Sequence, residues 1–124
     1  MKEVGFYTET ANGRLNVAGD EAHGFRPFQL LVSSLAVCSG GVLRKILEKQ
    51  RLQIDDINIK ADVERNPAVA DRVEKIHLHF TITGKDLNET KIEKAMVLTK
   101  KNCSMVQSVI GSIEVEETFE LIHS

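Results

Sequence analysis

The sequence predicts an α+β fold, a single domain over residues 1–124, with antiparallel sheets around one long helix in the order β-β-α-β-β-α-α-β. Three features carry this expectation. An apolar run from Leu30 to Leu43 follows a proline, two segments centred on Ile59 and Leu78 alternate apolar with polar residues, and Asn12-Gly13 separates two short β-prone stretches.

Val4-Gly5-Phe6-Tyr7-Thr8 and Arg14-Leu15-Asn16-Val17-Ala18 flank Asn12-Gly13, a strong turn dipeptide, and read as a β-hairpin. Gly19 to Gly24 reads as an exposed loop. Arg26 precedes a proline and should be extended, whereas Pro27 suits the first position of a helix. That helix is expected from about Pro27 to about Gln50. Leu30, Leu31, Val32, Leu35, Ala36, Val37 and Cys38 make its first half apolar on nearly every side, as in a helix within a core. Arg44, Lys45, Glu48 and Lys49 return its second half to solvent, with Leu43, Ile46 and Leu47 keeping one apolar stripe. Gly40-Gly41 is no phosphate loop, since no strand precedes it, and is expected to let another backbone approach the helix.

Ile57, Ile59, Ala61 and Val63 alternate with polar residues, as do Ile76, Leu78, Phe80 and Ile82, which predicts two strands joined through Asn66-Pro67 to Asp71. Val73 has the opposite parity from Ile76, so a bulge is expected near Glu74. Gly84-Lys85 ends the second strand. Asp86 and Glu89 form a box-like helix start, and Ile92, Ala95, Met96 and Thr99 trace one face of the helix that follows. Asn102 is placed to cap a further short helix bearing Cys103, Val106 and Ile110, closed by Gly111. Ile113, Val115, Phe119 and Leu121 mark a final strand, and Glu117 shares their inward parity without an evident local reason.

The formal net charge of −2 leaves no electrostatic footprint for nucleic acid, and the basic pairs Arg44-Lys45 and Lys100-Lys101 read as solvated helix faces. Met1-Lys2-Glu3 opens no secretory signal, and the apolar stretch from Leu30 to Leu43 is too short for a membrane span. The expected compartment is the cytoplasm, where two cysteines stay reduced, catalytic or buried more often than locked in a disulfide.

Cys38 and Cys103 are the candidate chemical centre. Cys38 shares a helical stripe with Leu31, Ser34, Leu35 and Val42, and an apolar setting makes a thiol inert unless a positive neighbour opposes it. A packed core cysteine is the plain alternative at both positions. Cys103, as the first residue of a helix capped by Asn102, would have its thiolate favoured by unpaired amides. No local Cys-x-x-Cys motif exists, so any disulfide needs the fold to bring the two α-carbons within roughly 7 Å. His77 and His79 share a strand face, with no Cys, Asp or Glu at ligand spacing, and are not expected to hold a metal. His23 and His123 read as solvated, and Met96 and Met105 as core fillers.

Pro27-Phe28-Gln29-Leu30-Leu31-Val32-Ser33-Ser34-Leu35-Ala36-Val37-Cys38, a proline-led apolar helix ending on a cysteine, resembles the signature of the osmotically inducible protein C and organic hydroperoxide resistance (OsmC/Ohr) family. Asn102-Cys103-Ser104-Met105-Val106 resembles its second motif, in which a cysteine opens a later helix. The resemblance implies an OsmC/Ohr-like intertwined homodimer with thiol sites at the interface, acting on organic hydroperoxides without metal or organic cofactor. It implies Cys38 as the peroxidatic thiol, Cys103 as the resolving thiol, and a dithiol reductant, lipoyl-type, or a small thiol to reopen the disulfide. Peroxidases of the family carry a Glu just after the motif proline that orients an Arg toward the thiolate, whereas here Phe28 and Gln29 follow Pro27. Arg14, from the amino-terminal hairpin, is the nearest match to that Arg, and Arg26 a poorer one. Two readings follow: a thiol peroxidase of oxidative-stress defence, and a non-catalytic member that binds an apolar small molecule at the dimer interface, with Phe28 extending the pocket.

Overall fold

The computed structural model describes residues 1–124, and the chain forms two compact units, residues 1–33 and 34–124. In the first, β1 (Phe6–Thr10) and β2 (Gly13–Val17) pair antiparallel, with Phe6 opposite Val17 and Thr10 opposite Gly13. The turn therefore centres on Ala11 and Asn12 rather than on Asn12-Gly13. Gly13 opens β2 at φ 115°, a backbone that a side chain would strain. Thr10 supports the turn, its hydroxyl donating to the Gly13 carbonyl at 2.8 Å and accepting from the Asn12 amide. The following loop returns along β2, with the Phe25 amide bonded to the Asn16 carbonyl. Gly24 permits this approach, since a Cβ there would stand 2.7 Å from the Asn16 oxygen.

The helix α1 spans Pro27–Lys49, close to expectation. Pro27 is its first residue, and the Gln29 side chain accepts from the Arg26 amide at 3.0 Å, half of a capping box. Its other end closes in a Schellman arrangement: the Leu52 amide bonds to the Leu47 carbonyl and the Arg51 amide to the Glu48 carbonyl. Arg51 holds the left-handed position at φ 58°, where glycine is usual. At 23 residues, with an 18-residue window of mean hydropathy 1.6, α1 is long and apolar enough to cross a membrane, which the shorter Leu30–Leu43 stretch did not suggest. A core helix meets the same test. In the second unit, α1 buries Leu35, Ser39, Leu43 and Leu47, four residues at i, i+4 spacing on one face. Val37, on another face, is 74% exposed, so the helix is not enclosed on every side.

The second unit is built on a three-stranded sheet of β3 (Gln53–Asn66), β4 (Arg72–Lys85) and β5 (Glu114–His123), ordered β3-β4-β5. β3 and β4 form the expected hairpin, and Glu74 is the bulged residue: Glu64 faces Lys75 and Arg65 faces Val73. β5 joins β4 in parallel, so this sheet is mixed rather than antiparallel throughout. The reason is topological, because the helices between β4 and β5 carry the chain back to the sheet end where β4 began. As the central strand, β4 supplies the fully buried Ile76, Leu78, Phe80 and Ile82, whereas the matching positions of edge strand β3 are only half-buried.

Helix α2 (Glu89–Asn102) starts two residues later than its box-like signal: Asn88 is the cap, accepting from the Lys91 amide at 3.0 Å. Asp86 instead occupies a left-handed turn position at φ 52°. Ile92, Ala95, Met96 and Thr99 are its buried face, as the spacing predicts. Helix α3 covers Ser104–Val109. Gly40 proves to be a close approach to a side chain, not a backbone: a Cβ there would lie 2.8 Å from Cδ1 of Ile59, and nothing lies near Gly41.

Stability follows from these placements. Phe80→Ala is expected to destabilise by about 3–5 kcal/mol through the cavity it leaves. Arg51→Gly should stabilise by about 0.5 kcal/mol, the relieved left-handed strain being partly offset by the entropy of glycine. Urea denaturation followed by circular dichroism reads both.

Candidate active site

Cys103 is where the two motif cysteines meet. It is not the first residue of a helix capped by Asn102. Asn102 ends α2, its side chain donating to the Leu98 carbonyl at 2.8 Å, and Cys103 is itself the extended residue between α2 and α3, with φ −80° and ψ 110°. This one break frees the first amides of α3 from any helical partner. The amides of Ser104 and Met105 face the Cys38 sulfur instead and favour its thiolate. The Ser104 hydroxyl lies 3.7 Å from the same sulfur.

Cys38 and Cys103 are both reduced and close enough for each to shift the acidity of the other. Their environments push them apart. Burial raises the Cys38 thiol, but the Cys103 thiol, the Met105 amide, the Ser104 hydroxyl and the Ser104 amide together outweigh it and hold Cys38 below the ordinary thiol range. All four donors are neutral, so a cation is not what lowers this thiol. Cys103 moves the other way: burial raises it, the neighbouring Cys38 raises it further, and the Ser39 hydroxyl offsets this in part. The Val106 amide in the first turn of α3 does pull Cys103 down, as helix-start amides should, but burial and the neighbouring Cys38 outweigh it. Cys38 is half-buried and Cys103 is 0% exposed, which makes Cys38 the thiol a reagent reaches first.

Behind Cys103 lies a polar chain that the cysteine motifs did not reveal. The Ser39 hydroxyl, fully buried, stands 3.4 Å from the Cys103 sulfur and 3.5 Å from Oε1 of Glu117. Burial pushes the Glu117 carboxyl up, against the pull of the Lys100 ammonium and the Ser39 hydroxyl. The second carboxyl oxygen, Oε2, is buried without a hydrogen bond. Lys100 donates to the Val115 carbonyl at 2.6 Å. The inward parity of Glu117 was the sequence signal for this group, and Ser39 could have been found as the polar member of the Leu35–Leu43 stripe.

Arg14 is placed within the amino-terminal hairpin. Its guanidinium pairs with Glu9 at 2.9 Å and lies 3.9 Å over the Tyr7 ring. Gln29 is committed elsewhere, accepting from the Arg26 amide and donating to Glu21 at 3.2 Å, and the Arg26 guanidinium lies over the Phe28 ring. His77 and His79 both hydrogen-bond the Thr118 hydroxyl at 2.7 Å, and Glu120 stands 3.3 Å from His79, a carboxylate neighbour that spacing along β4 alone did not suggest. His23 is exposed, as expected, and also pairs with Asp20 at 3.0 Å.

Residues 19–118 match the family model described as OsmC-like protein. The chain is 26% identical over 122 residues to protein YhfA of Escherichia coli K12, covering 94% of this chain and 90% of that protein. It is 26% identical over 93 residues to the organic hydroperoxide resistance protein OhrB of Bacillus subtilis, covering 75% of this chain and 68% of that one. Among solved structures, a hypothetical protein from Aquifex aeolicus superposes with a TM-score of 0.88 at 25% identity, over 100% of this chain and 92% of that one. A family match over residues 19–118, most of the chain, identifies this protein as a member of the OsmC-like family.

Proposed function

We propose that this protein is a thiol-dependent hydroperoxidase of oxidative-stress defence, acting on organic hydroperoxides in the cytoplasm. The observation that carries the reading is that Cys38 and Cys103, distant in sequence, share one site: the Cys38 sulfur lies 3.7 Å from the hydroxyl of Ser104, the residue next to Cys103, Ser39 beside Cys38 reaches the Cys103 sulfur at 3.4 Å, and the two thiols shift in opposite directions. A nucleophile needs a thiolate at ambient pH, and a resolving thiol can wait protonated. In the first step the Cys38 thiolate attacks the distal peroxide oxygen. The O–O bond breaks, Cys38 becomes a sulfenic acid, and the alkoxide leaves as an alcohol after taking a proton. Cys103 then attacks the Cys38 sulfur, forming the disulfide and releasing water. A dithiol reductant reopens it by exchange. No metal or organic cofactor enters this sequence.

Arg14 is assigned the cationic contribution to the peroxide step. Its support is the Glu9 carboxylate, which orients the guanidinium and could replace the acidic residue that the start of α1 lacks. The working form is taken to be an intertwined homodimer of one OsmC-like domain per chain. The exposed apolar side chains of Val37 and Val97 are surface that such a partner would cover. The competing reading, an apolar-ligand binder, draws on an open cleft of about 390 Å³ lined in part by Met96, Val97 and Ile110, a lining that includes neither Cys38 nor Phe28. It requires a Cys38 thiol at or above its free acidity, and the four donors around Cys38 argue against that.

Treatment with a bulky organic hydroperoxide should convert both thiols to an intramolecular disulfide, seen by intact-mass spectrometry as the loss of two hydrogen atoms. Cys38→Ser abolishes the reaction, Cys103→Ser stops it at the sulfenic acid, and Arg14→Ala slows only the first step. Free thiols surviving excess peroxide would overturn the proposal. The rate of Cys38 oxidation should persist as pH falls below the ordinary thiol range and decline only through the lowered Cys38 value. Ser104→Ala removes one donor worth about 1 kcal/mol, so the rate near neutral pH should fall about fivefold and the profile move to higher pH. Stopped-flow alkylation across pH checks this.

A further inference from the structure

The hydroxyl of Ser39 is the only group drawn between the resolving thiol and a carboxyl. It has one proton to give, and its two neighbours stand at 3.4 Å (Cys103 sulfur) and 3.5 Å (Glu117 Oε1). When that proton points to Glu117, the lone pairs of Ser39 face Cys103 and can accept from its thiol. We propose that Glu117, through Ser39, takes up the Cys103 proton when that thiol attacks Cys38. Ser39 touches the reacting sulfur and is the catalytic residue of this step, and Glu117 is a positioning residue acting through it. The inference rests on the hydroperoxidase reading for its physiological setting, and adds the route of one proton.

The need for such a route comes from Cys103 itself. Its burial and the neighbouring Cys38 keep it a thiol, and a thiol is a poor nucleophile until the proton leaves. Bulk water does not reach a side chain with 0% exposure. Burial raises the Glu117 carboxyl above its ordinary value, which makes its carboxylate form a stronger base than one in water. Lys100 is the charged group that faces it and opposes that rise in part, while donating its hydrogen bond elsewhere, to Val115. Oε2 of Glu117 has no partner, so the carboxyl is not consumed by a structural network. Glu117 also lines the open cleft beside Met96, Val97 and Ile110, through which the proton can pass to solvent. The 3.4 Å contact to sulfur is ordinary, whereas the 3.5 Å from Ser39 to Glu117 is long for an O–H···O bond, as catalytic contacts often are in the resting form before they tighten.

In proton terms the step balances. The Cys103 thiol gives its proton to Ser39 as Ser39 gives its own to Glu117. The resulting thiolate forms the sulfur–sulfur bond, and the sulfenic oxygen leaves as hydroxide, which becomes water on taking a proton from solvent. The sum is one sulfenic acid and one thiol giving one disulfide and one water.

Two arms on the full-length protein test this. In the first, an organic hydroperoxide oxidises Cys38, a 1,3-diketone traps the sulfenic acid, and disulfide formation is timed by quenched-flow mass spectrometry. In the second, Cys38 is loaded as a mixed disulfide with thionitrobenzoate, and the attack of Cys103 is followed by release of the coloured thiolate, with no peroxide present. Wild-type Cys103 attack should rise with pH along a carboxyl-like limb and then level off well below the thiol range. E117Q and S39A should each slow the attack on the order of 10²-fold, lose the plateau and follow hydroxide instead, with Cys38 sulfenic acid formation confined to its wild-type rate in E117Q. The double variant should be no slower than either single one, since both cut the same path. An unchanged attack rate, a plateau that survives in E117Q, or a uniform slowing without change of pH profile overturns the relay. Should the second arm behave as expected while hydroperoxide yields no sulfenic acid, the relay stands and the hydroperoxidase reading falls.

Discussion

Cys103 stands alone in extended backbone between two helices, and the chemistry on either side of it depends on that interruption. Were α2 to continue without a break, the amides of Ser104 and Met105 would bond to carbonyls one turn back. Because the helix stops and restarts, those amides are free, and the sulfur that faces them belongs to Cys38 on another helix. The same residue brings its own thiol into the core, away from the donors it exposes. A thiol pair of opposite character thus follows from one pair of backbone angles and the burial of one side chain.

The parallel entry of β5 has a comparable reach. Carrying the chain back through α2 and α3 sets β5 beside β4, with Glu117 opposite Leu78 in the register and on the face where Ser39 of α1 is buried. A carboxyl at such a position is costly unless something compensates it, and Lys100 and Ser39 do so incompletely. Carboxyls perturbed in this way cluster at functional sites.

Several local features were legible because they depend on near neighbours. The alternation of Ile76, Leu78, Phe80 and Ile82, the parity slip at Glu74 and the proline at the start of α1 each translate directly into backbone geometry. Helix boundaries were less so. Asn88 and Asp86 both carry capping side chains, and the choice between them fell to the left-handed turn at Asp86, which local chemistry allows at either residue. Asn102 was similarly eligible as a cap, but its side chain satisfies the end of α2 instead.

The amino-acid order by itself determined the elements and their succession, the inward faces of the strands and of α2, and the identity of the two sulfur atoms, since periodicities of 2 and 3.6 residues are properties of the chain at short range. Which thiol is the acidic one, and that a serine and a glutamate stand behind the other, was decided only in three dimensions. Those relations join α1, the α2–α3 junction and β5, segments far apart along the backbone, and a contact of that range leaves no periodic trace in the residues that make it. Acidity depends on burial and on donors supplied from elsewhere in the fold, and these exist only once the helices and the sheet have packed.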